Sequence, residues 1–301
     1  MSRVLKYNLS SSKKHGWSCE WFGSDTFDEK LIENIKIFQK EYNLKADGMV
    51  GPATLRRKET ELLDGADFTP GKKRKRKGEK FIIYNDKKFP IAWERVLTWE
   101  DKGGLPAKEG TYYDWSGRPD RAPIQFVNHW DATLSSEACA RIINKRGLSM
   151  HFLIDNDGTI YQMLDIQHVA WQAGSKLWNT AGIGVEISNA YYLKYQDWYV
   201  KKGFGKRPIV VSELNDRPLG PHLDFYPVQL QALAALWAAI HDATGINLEV
   251  CETKGVDEDC RQLNFNGFIN HYNLTSNKID CASLKMDEVL LEAKKFSQGS
   301  F

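Results

Sequence analysis

Residues 69–80, TPGKKRKRKGEK, set six consecutive basic side chains behind a Pro-Gly step. No hydrophobic core can enclose such a run, because like charges at adjacent positions repel and stay solvated. A chain built around it folds as two parts, with domains expected at 1–68 and 81–301 and a flexible linker at 69–80. The same run could also hold an anionic polymer such as teichoic acid or nucleic acid, and the two roles are compatible. The whole-chain balance adds nothing to the second role, since 41 Lys and Arg face 39 Asp and Glu. No base-reading motif accompanies the patch, so no specific nucleic-acid partner is expected.

Ahead of the linker, Leu31, Ile35, Phe38 and Tyr42 recur at spacings of three and four, the pattern of an amphipathic helix. Thr26 and Glu29 suit a capping box at its start. Asp47-Gly48 then supplies a tight turn, and Gly51-Pro52 opens a second short helix with proline at its first position. Taken alone, this is a helical hairpin of unspecified use. The residues Phe38-Gln39, Asn43-Leu44, Asp47-Gly48, Val50-Gly51-Pro52 and Thr54 resemble the peptidoglycan-binding domain of bacterial and phage wall hydrolases. That resemblance implies a small α-helical domain that holds the cell wall.

Behind the linker the pattern changes to strands alternating with helices. KFIIYNDKKFPIAW reads as a hairpin about Asn85-Asp86, PIQFVNHW (123–130) as a strand, and SSEACARIINKRG as a helix. MHFLIDNDGTIYQML reads as a hairpin turning at Asp157-Gly158, and IGVEIS as a further strand. A long helix is expected over about 227–243, with Pro227 at its start and Gly245 after its end. Residues 190–226, rich in Tyr, Lys, Gly and Pro, read as an elaborated loop. The alternation predicts an α/β fold, helices packed on a mostly buried sheet.

The chemistry concentrates near GFINHYNLTSNKIDC (267–281), an apolar turn followed by His271 and, ten residues on, Cys281. Two such ligands do not make a metal site; a catalytic zinc takes three protein ligands and keeps one open position. His129, at the end of a strand, is the best third candidate. Taken singly, each histidine also suits a structural role and Cys281 a core position. The five cysteines are odd in number and scattered, which fits free thiols or metal ligation better than a disulfide framework, although Cys251 and Cys260 could pair in an oxidising place.

Five ordered motifs, VNHWDAT, MHFLIDNDGTIYQM, HVAWQAG, AGIGVEISN and the His271–Cys281 loop, resemble the zinc-dependent N-acetylmuramoyl-L-alanine amidases of the type 2 family, which includes phage lysins and animal peptidoglycan recognition proteins. The resemblance covers roughly residues 120–295 and implies a mixed β-sheet flanked by helices with a zinc cleft. It implies zinc as cofactor, held by His129, His271 and Cys281, with Asp280 an alternative to the cysteine. Glu186 in IGVEIS matches the catalytic Glu of one branch; alternation sets it on the opposite face from Val185 and Ile187. Another branch uses a Tyr where this chain has Met150, which can neither accept nor donate a proton, and His151 beside it suits support better than ligation. Family members carry a Lys, Arg or Thr two residues before the final ligand. Counted from Cys281 that position is Ile279, so Lys278 can serve as oxyanion donor only if the loop bulges. Trp171 falls where the family lines its groove, and Gln172 stands where many members have His.

The expectation is a zinc peptidoglycan hydrolase that cuts the amide between N-acetylmuramic acid and L-alanine. A non-catalytic peptidoglycan-recognition protein is the rival reading. The N-terminal stretch lacks the apolar run of a secretory signal, which suggests synthesis in a host cytoplasm and a phage lysin, or a virion-associated hydrolase, acting on the bacterial wall. No membrane insertion is expected, and a monomer is.

Overall fold

The computed structural model describes residues 2–42, 44–63 and 80–297. Of the expected linker at 69–80, all but Lys80 lies outside the described residues. The chain divides into two compact units, Met1–Glu79 with Lys194–Arg207, and Lys80–Leu193 with Pro208–Phe301. No described helix is long and apolar enough to cross a membrane.

The first unit carries α1 (Arg3–His15), α2 (Glu29–Glu41) and α3 (Pro52–Leu63). Leu31, Ile35, Phe38 and Tyr42 are all fully buried, joined by Trp17 and Phe22. The cap of α2 differs from the expected Thr26: Asp28 occupies the position and accepts the Leu31 N–H at 2.9 Å, while the Thr26 hydroxyl donates to Asp28 instead. A carboxylate one residue from the first helical turn is the better acceptor for its free amides. Gln39 ties the DG…GP loop to α2. Its amide nitrogen donates to Asp47 Oδ1, Met49 O and Thr54 Oγ1, and its carbonyl oxygen accepts the Gly48 N–H. Helix α1, not foreseen in the sequence, clasps the same loop through Asn8, which donates to Gly48 O and accepts the Val50 N–H.

The second unit begins with the foreseen hairpin, β1 (Phe81–Tyr84) and β2 (Lys87–Pro90), whose turn residues Asn85 and Asp86 adopt φ 52° and 60°. Then follow β3 (Val96–Leu97), β4 (Tyr112–Tyr113), β5 (Gln125–Trp130) and α4 (Ser136–Lys145). The hairpin of β6 (Phe152–Ile154) and β7 (Ile160–Gln162), then β8 (Val169–Ala170), α5 (Lys176–Ala181) and β9 (Gly182–Ile187), complete the first half. Past β9 the chain enters Lys194–Arg207, which includes α6 (Gln196–Lys201) and clusters with the first unit. It returns with β10 (Ile209–Leu214) and β11 (Arg217–Leu223), an antiparallel pair within the stretch read as a loop. Last come α7 (Pro227–Thr244), α8 (Glu258–Arg261), β12 (Gly267–Asn270) and α9 (Met286–Ser297).

The central sheet runs β12-β5-β9-β6-β7-β3. It is mixed: β12, β5, β9 and β6 are parallel in succession, β6–β7 is an antiparallel hairpin, and β3 lies parallel to β7. One face, carrying Phe126, Trp130, Val185, Ile187 and Phe268, packs into a core with Leu233, Trp237 and Ile240 of α7 and Val289 and Ala293 of α9. The other is covered in part by α4, through Cys139, Ala140 and Ile143 against Leu153 and Tyr161. Strand alternation sends Val127, His129, Gly184 and Glu186 to this second face.

Candidate active site

The residues expected to carry chemistry meet because three neighbouring strands share one register. Parallel pairing sets Asn270 of β12 opposite Asn128 of β5, so His271, the next residue, emerges beside His129. On its other side His129 pairs with Glu186 of β9. All three stand at the carboxyl ends of parallel strands, where side chains can project beyond the sheet edge into a crevice. The segment read as an apolar turn, GFIN, is itself the edge strand β12 and sets the position of His271.

His129 and His271 are both buried, with ring centroids 4.4 Å apart. The Nδ1 atom of each approaches Asp280 Oδ2, at 3.2 Å and 3.1 Å. His129, His271 and Asp280 thus place one ligand-type atom each within 4.8 Å of one another. The far side of His129 is fixed by Gln172, whose Oε1 lies 2.7 Å from Nε2 and accepts its proton, leaving Nδ1 turned toward Asp280. Gln172 reaches this place because residue 184 is glycine: a Cβ there would stand 2.5 Å from Gln172 Oε1 and 2.4 Å from Met150 Sδ.

The side chain that the structure brings to the two histidines is Asp280, whereas the expected ligand Cys281 faces away from them. That side chain is fully buried and packs with Leu284 and Met286 in the main core, where burial pushes its thiol pKa up and keeps it protonated. Asp280, one residue earlier, is the side chain that faces the histidines. Lys278 thereby stands two residues before the carboxylate. It is exposed, and its charge acts on both Glu186 and His271.

The charges of the cluster depend on one another. Burial raises the Asp280 pKa, but hydrogen bonds from His129 and His271 outweigh it and hold the carboxyl well below the usual range. Burial lowers His129, yet Asp280 and Glu186 raise it further, for a net upward shift. His271 is lowered to about 4, by burial first and then by His129. Glu186 is raised to about 8, chiefly by burial and further by Asp131 and Asp280, against His129 and Lys278. Its Oε2 is buried and, among the described residues, has no hydrogen-bond partner.

Two imidazole nitrogens and one carboxylate oxygen, converging beside an unpartnered glutamate, form a donor set suited to a catalytic zinc with an open position. His151 takes no part in it. Its Nδ1 accepts the Gly184 N–H at 3.2 Å and its Nε2 lies 3.0 Å from His168 O, so it braces β9 from behind. Trp171 is partly buried and packs edge-on against Tyr113, with centroids 5.2 Å apart. Sequence reasoning missed Asp131, although it lies in the VNHWDAT motif. Its half-buried carboxylate accepts from the Thr133 amide and hydroxyl, the Ser188 hydroxyl and the Asn189 amide, and so joins the ends of β5 and β9. Burial raises it to about 6 despite those donors.

Residues 119–280, more than half of the chain, match the family described as N-acetylmuramoyl-L-alanine amidase, and residues 23–57 match a peptidoglycan binding domain. No match was found among curated proteins. Among solved structures, the N-acetylmuramoyl-L-alanine amidase LysC from Clostridium intestinale is similar at 17% identity and a TM-score of 0.35, covering 60% of this chain and 93% of that one. A mutant endolysin from Bacillus subtilis gives 19% identity and 0.38 over 66% and 97%. The Staphylococcus aureus hydrolase AmiA in complex with its ligand gives 11% identity and 0.42 over 73% and 98%.

Proposed function

The chain belongs to the N-acetylmuramoyl-L-alanine amidase family, and on that premise we propose that it works as a zinc hydrolase whose metal is held by His129, His271 and Asp280. Its substrate is peptidoglycan, and the bond cut joins the muramoyl group to L-alanine. The observation that carries the zinc reading is the convergence of His129 Nδ1, His271 Nδ1 and Asp280 Oδ2 beside the unpartnered Oε2 of Glu186.

Zinc bound there would lower the pKa of a water from roughly 15.7 to about 7 and polarise the scissile carbonyl. Glu186 accepts the proton of the attacking water and returns it to the departing alanine amine, the task of a general base that then serves as acid. Lys278, exposed, two residues from Asp280 and close enough for its charge to act on Glu186 and His271, offers its ammonium to the oxygen that gains charge. Gln172 keeps His129 in the tautomer whose Nδ1 is free to ligate.

The pairing of a wall-binding unit with an amidase in one chain supports a lysin, of the kind phages use. The test is the mass of products released from defined muropeptides, with and without chelator. Free L-alanine amino groups, lost on chelation and restored by zinc, are the expected result. New reducing sugar ends would assign a different bond, activity that survives chelation would remove the metal, and binding without release would leave a recognition protein.

A further inference from the structure

A second soft cluster lies in the loop before β12 and takes no part in the chemistry above. Cys251, Asp257 and Cys260 bring one ligand-type atom each within 4.8 Å of one another, and both cysteines are free thiols. The backbone fixes both: Cys251 donates its N–H to Phe268 O at 3.1 Å, and Cys260 donates its N–H to Asp257 Oδ1 at 2.9 Å. Both Asp257 oxygens are engaged with the loop itself, since the other accepts the Thr253 hydroxyl at 2.6 Å. A structural zinc takes four protein ligands. What remains is a pair of facing thiols that differ in access. Cys260 is fully buried, whereas Cys251 is 6% exposed and lines a surface groove of about 710 Å³.

We propose that Cys251 and Cys260 are a redox pair that closes to a disulfide when the protein meets a small-molecule disulfide such as oxidised glutathione. Peptidoglycan lies outside the reducing cytoplasm, where such oxidants persist. Cys251 attacks first, since it is the thiol a reagent can reach and the hydrogen bond from Cys260 favours its thiolate. Its sulfur takes one sulfur of the reagent and expels the other as a thiolate. Cys260 then loses its proton, and its sulfur attacks Sγ of Cys251 and expels the second thiolate. Two protein S–H bonds are lost, one S–S bond forms in the chain, and one reagent disulfide is reduced to two thiols.

Closure has a consequence at the zinc site, because the stapled loop holds the turn that carries His271. Asn273 donates its side-chain amide to Thr253 O and Gly255 O, at 2.8 Å and 2.9 Å, and its own carbonyl accepts the Asp257 N–H at 2.9 Å. The disulfide therefore ties both ends of the segment on which residues 271–273 rest.

The full-length protein, equilibrated in reduced and then oxidised glutathione, tests this by thiol titration after denaturation, peptide mapping and thermal unfolding. The expected result is a fall from five thiols to three, a cross-linked peptide joining Cys251 to Cys260, and a Tm higher by about 5 °C for a loop of this size. Cys19→Ser removes the one partly exposed thiol outside the pair and should change none of these shifts. Retention of five thiols, or a lasting glutathione adduct on Cys251 without closure, overturns the proposal. So does a second zinc bound by the reduced protein and lost in Cys251→Ser, which would assign the pair to a metal. The wild-type peptide map decides the matter even where Cys260→Ser fails to fold.

Discussion

Asp280 lends one carboxylate oxygen to two imidazole nitrogens at 3.1 Å and 3.2 Å, while the next side chain is wholly buried among apolar neighbours. Spacing from His271 could not separate these adjacent residues, because nine and ten residues both suit a ligand loop; the direction of the side chain favours Asp280. The two substitutions should part cleanly. Asp280→Ala empties the metal site and abolishes hydrolysis, whereas Cys281→Ala keeps zinc and activity and costs about 1–2 kcal/mol of stability through the small cavity left behind. Metal analysis of the two purified variants checks this, and loss of zinc in Cys281→Ala would refute the assignment. Glu186→Gln should retain the metal while turnover falls roughly 10²–10⁴-fold, the usual worth of a positioned base. If zinc leaves with the carboxylate, Glu186 is a ligand rather than a base.

At the scale of elements, β5 and β9 were legible because each is long enough for a pattern to declare itself, and the Asp157-Gly158 turn marks the β6–β7 hairpin. Strand β12 was not. Four residues opening on glycine offer too little alternation to separate a strand from a turn, and the partner strand lies more than a hundred residues away. The placement of His271 beside His129 therefore depended on a pairing that no local signal announces. His151 shows a similar link between elements, and it titrates. Its Nδ1 accepts the Gly184 N–H in β9, which an imidazolium could not do, and its Nε2 lies 3.0 Å from His168 O and 3.2 Å from the Arg121 guanidinium, so the ring is held neutral. Burial, then the nearby Arg121, lowers its pKa from 6.5 to about 3. The unfolded chain binds this proton below about pH 6.5 and the folded chain does not. Stability should therefore fall as pH drops through that window, by up to ~1.4 kcal/mol per pH unit from this residue. His151→Gln can keep an acceptor for Gly184 and a donor for His168 without titrating. Denaturant unfolding at pH 7, 6 and 5 should show the slope reduced in that variant, and an unchanged slope would place the acid sensitivity elsewhere.

At the scale of the molecule, the chain assigns wall binding and bond cleavage to different units, and the first unit depends on one loop. Gly48 sits at φ 73°, and a Cβ there would stand 2.6 Å from Ile32 Cγ2. Its N–H and carbonyl also receive Gln39 and Asn8, so the loop that completes this unit closes around a position only glycine fits. A β-branched residue at such a φ costs about 1–3 kcal/mol before any clash is counted, a large share of what a core this small supplies. Gly48→Val should accordingly disrupt the first unit while leaving His129, His271, Asp280 and Glu186, all in the second unit, as they are. A tether acts by raising the local concentration of substrate, so its loss should slow the clearing of intact sacculi roughly 10–100-fold and leave turnover of a short soluble muropeptide unchanged. Sedimentation with sacculi, turbidity and muropeptide hydrolysis measured on one preparation make the comparison. Equal loss on both substrates would mean that the first unit supports the active site itself, and undiminished clearing would mean that the amidase unit finds the wall unaided.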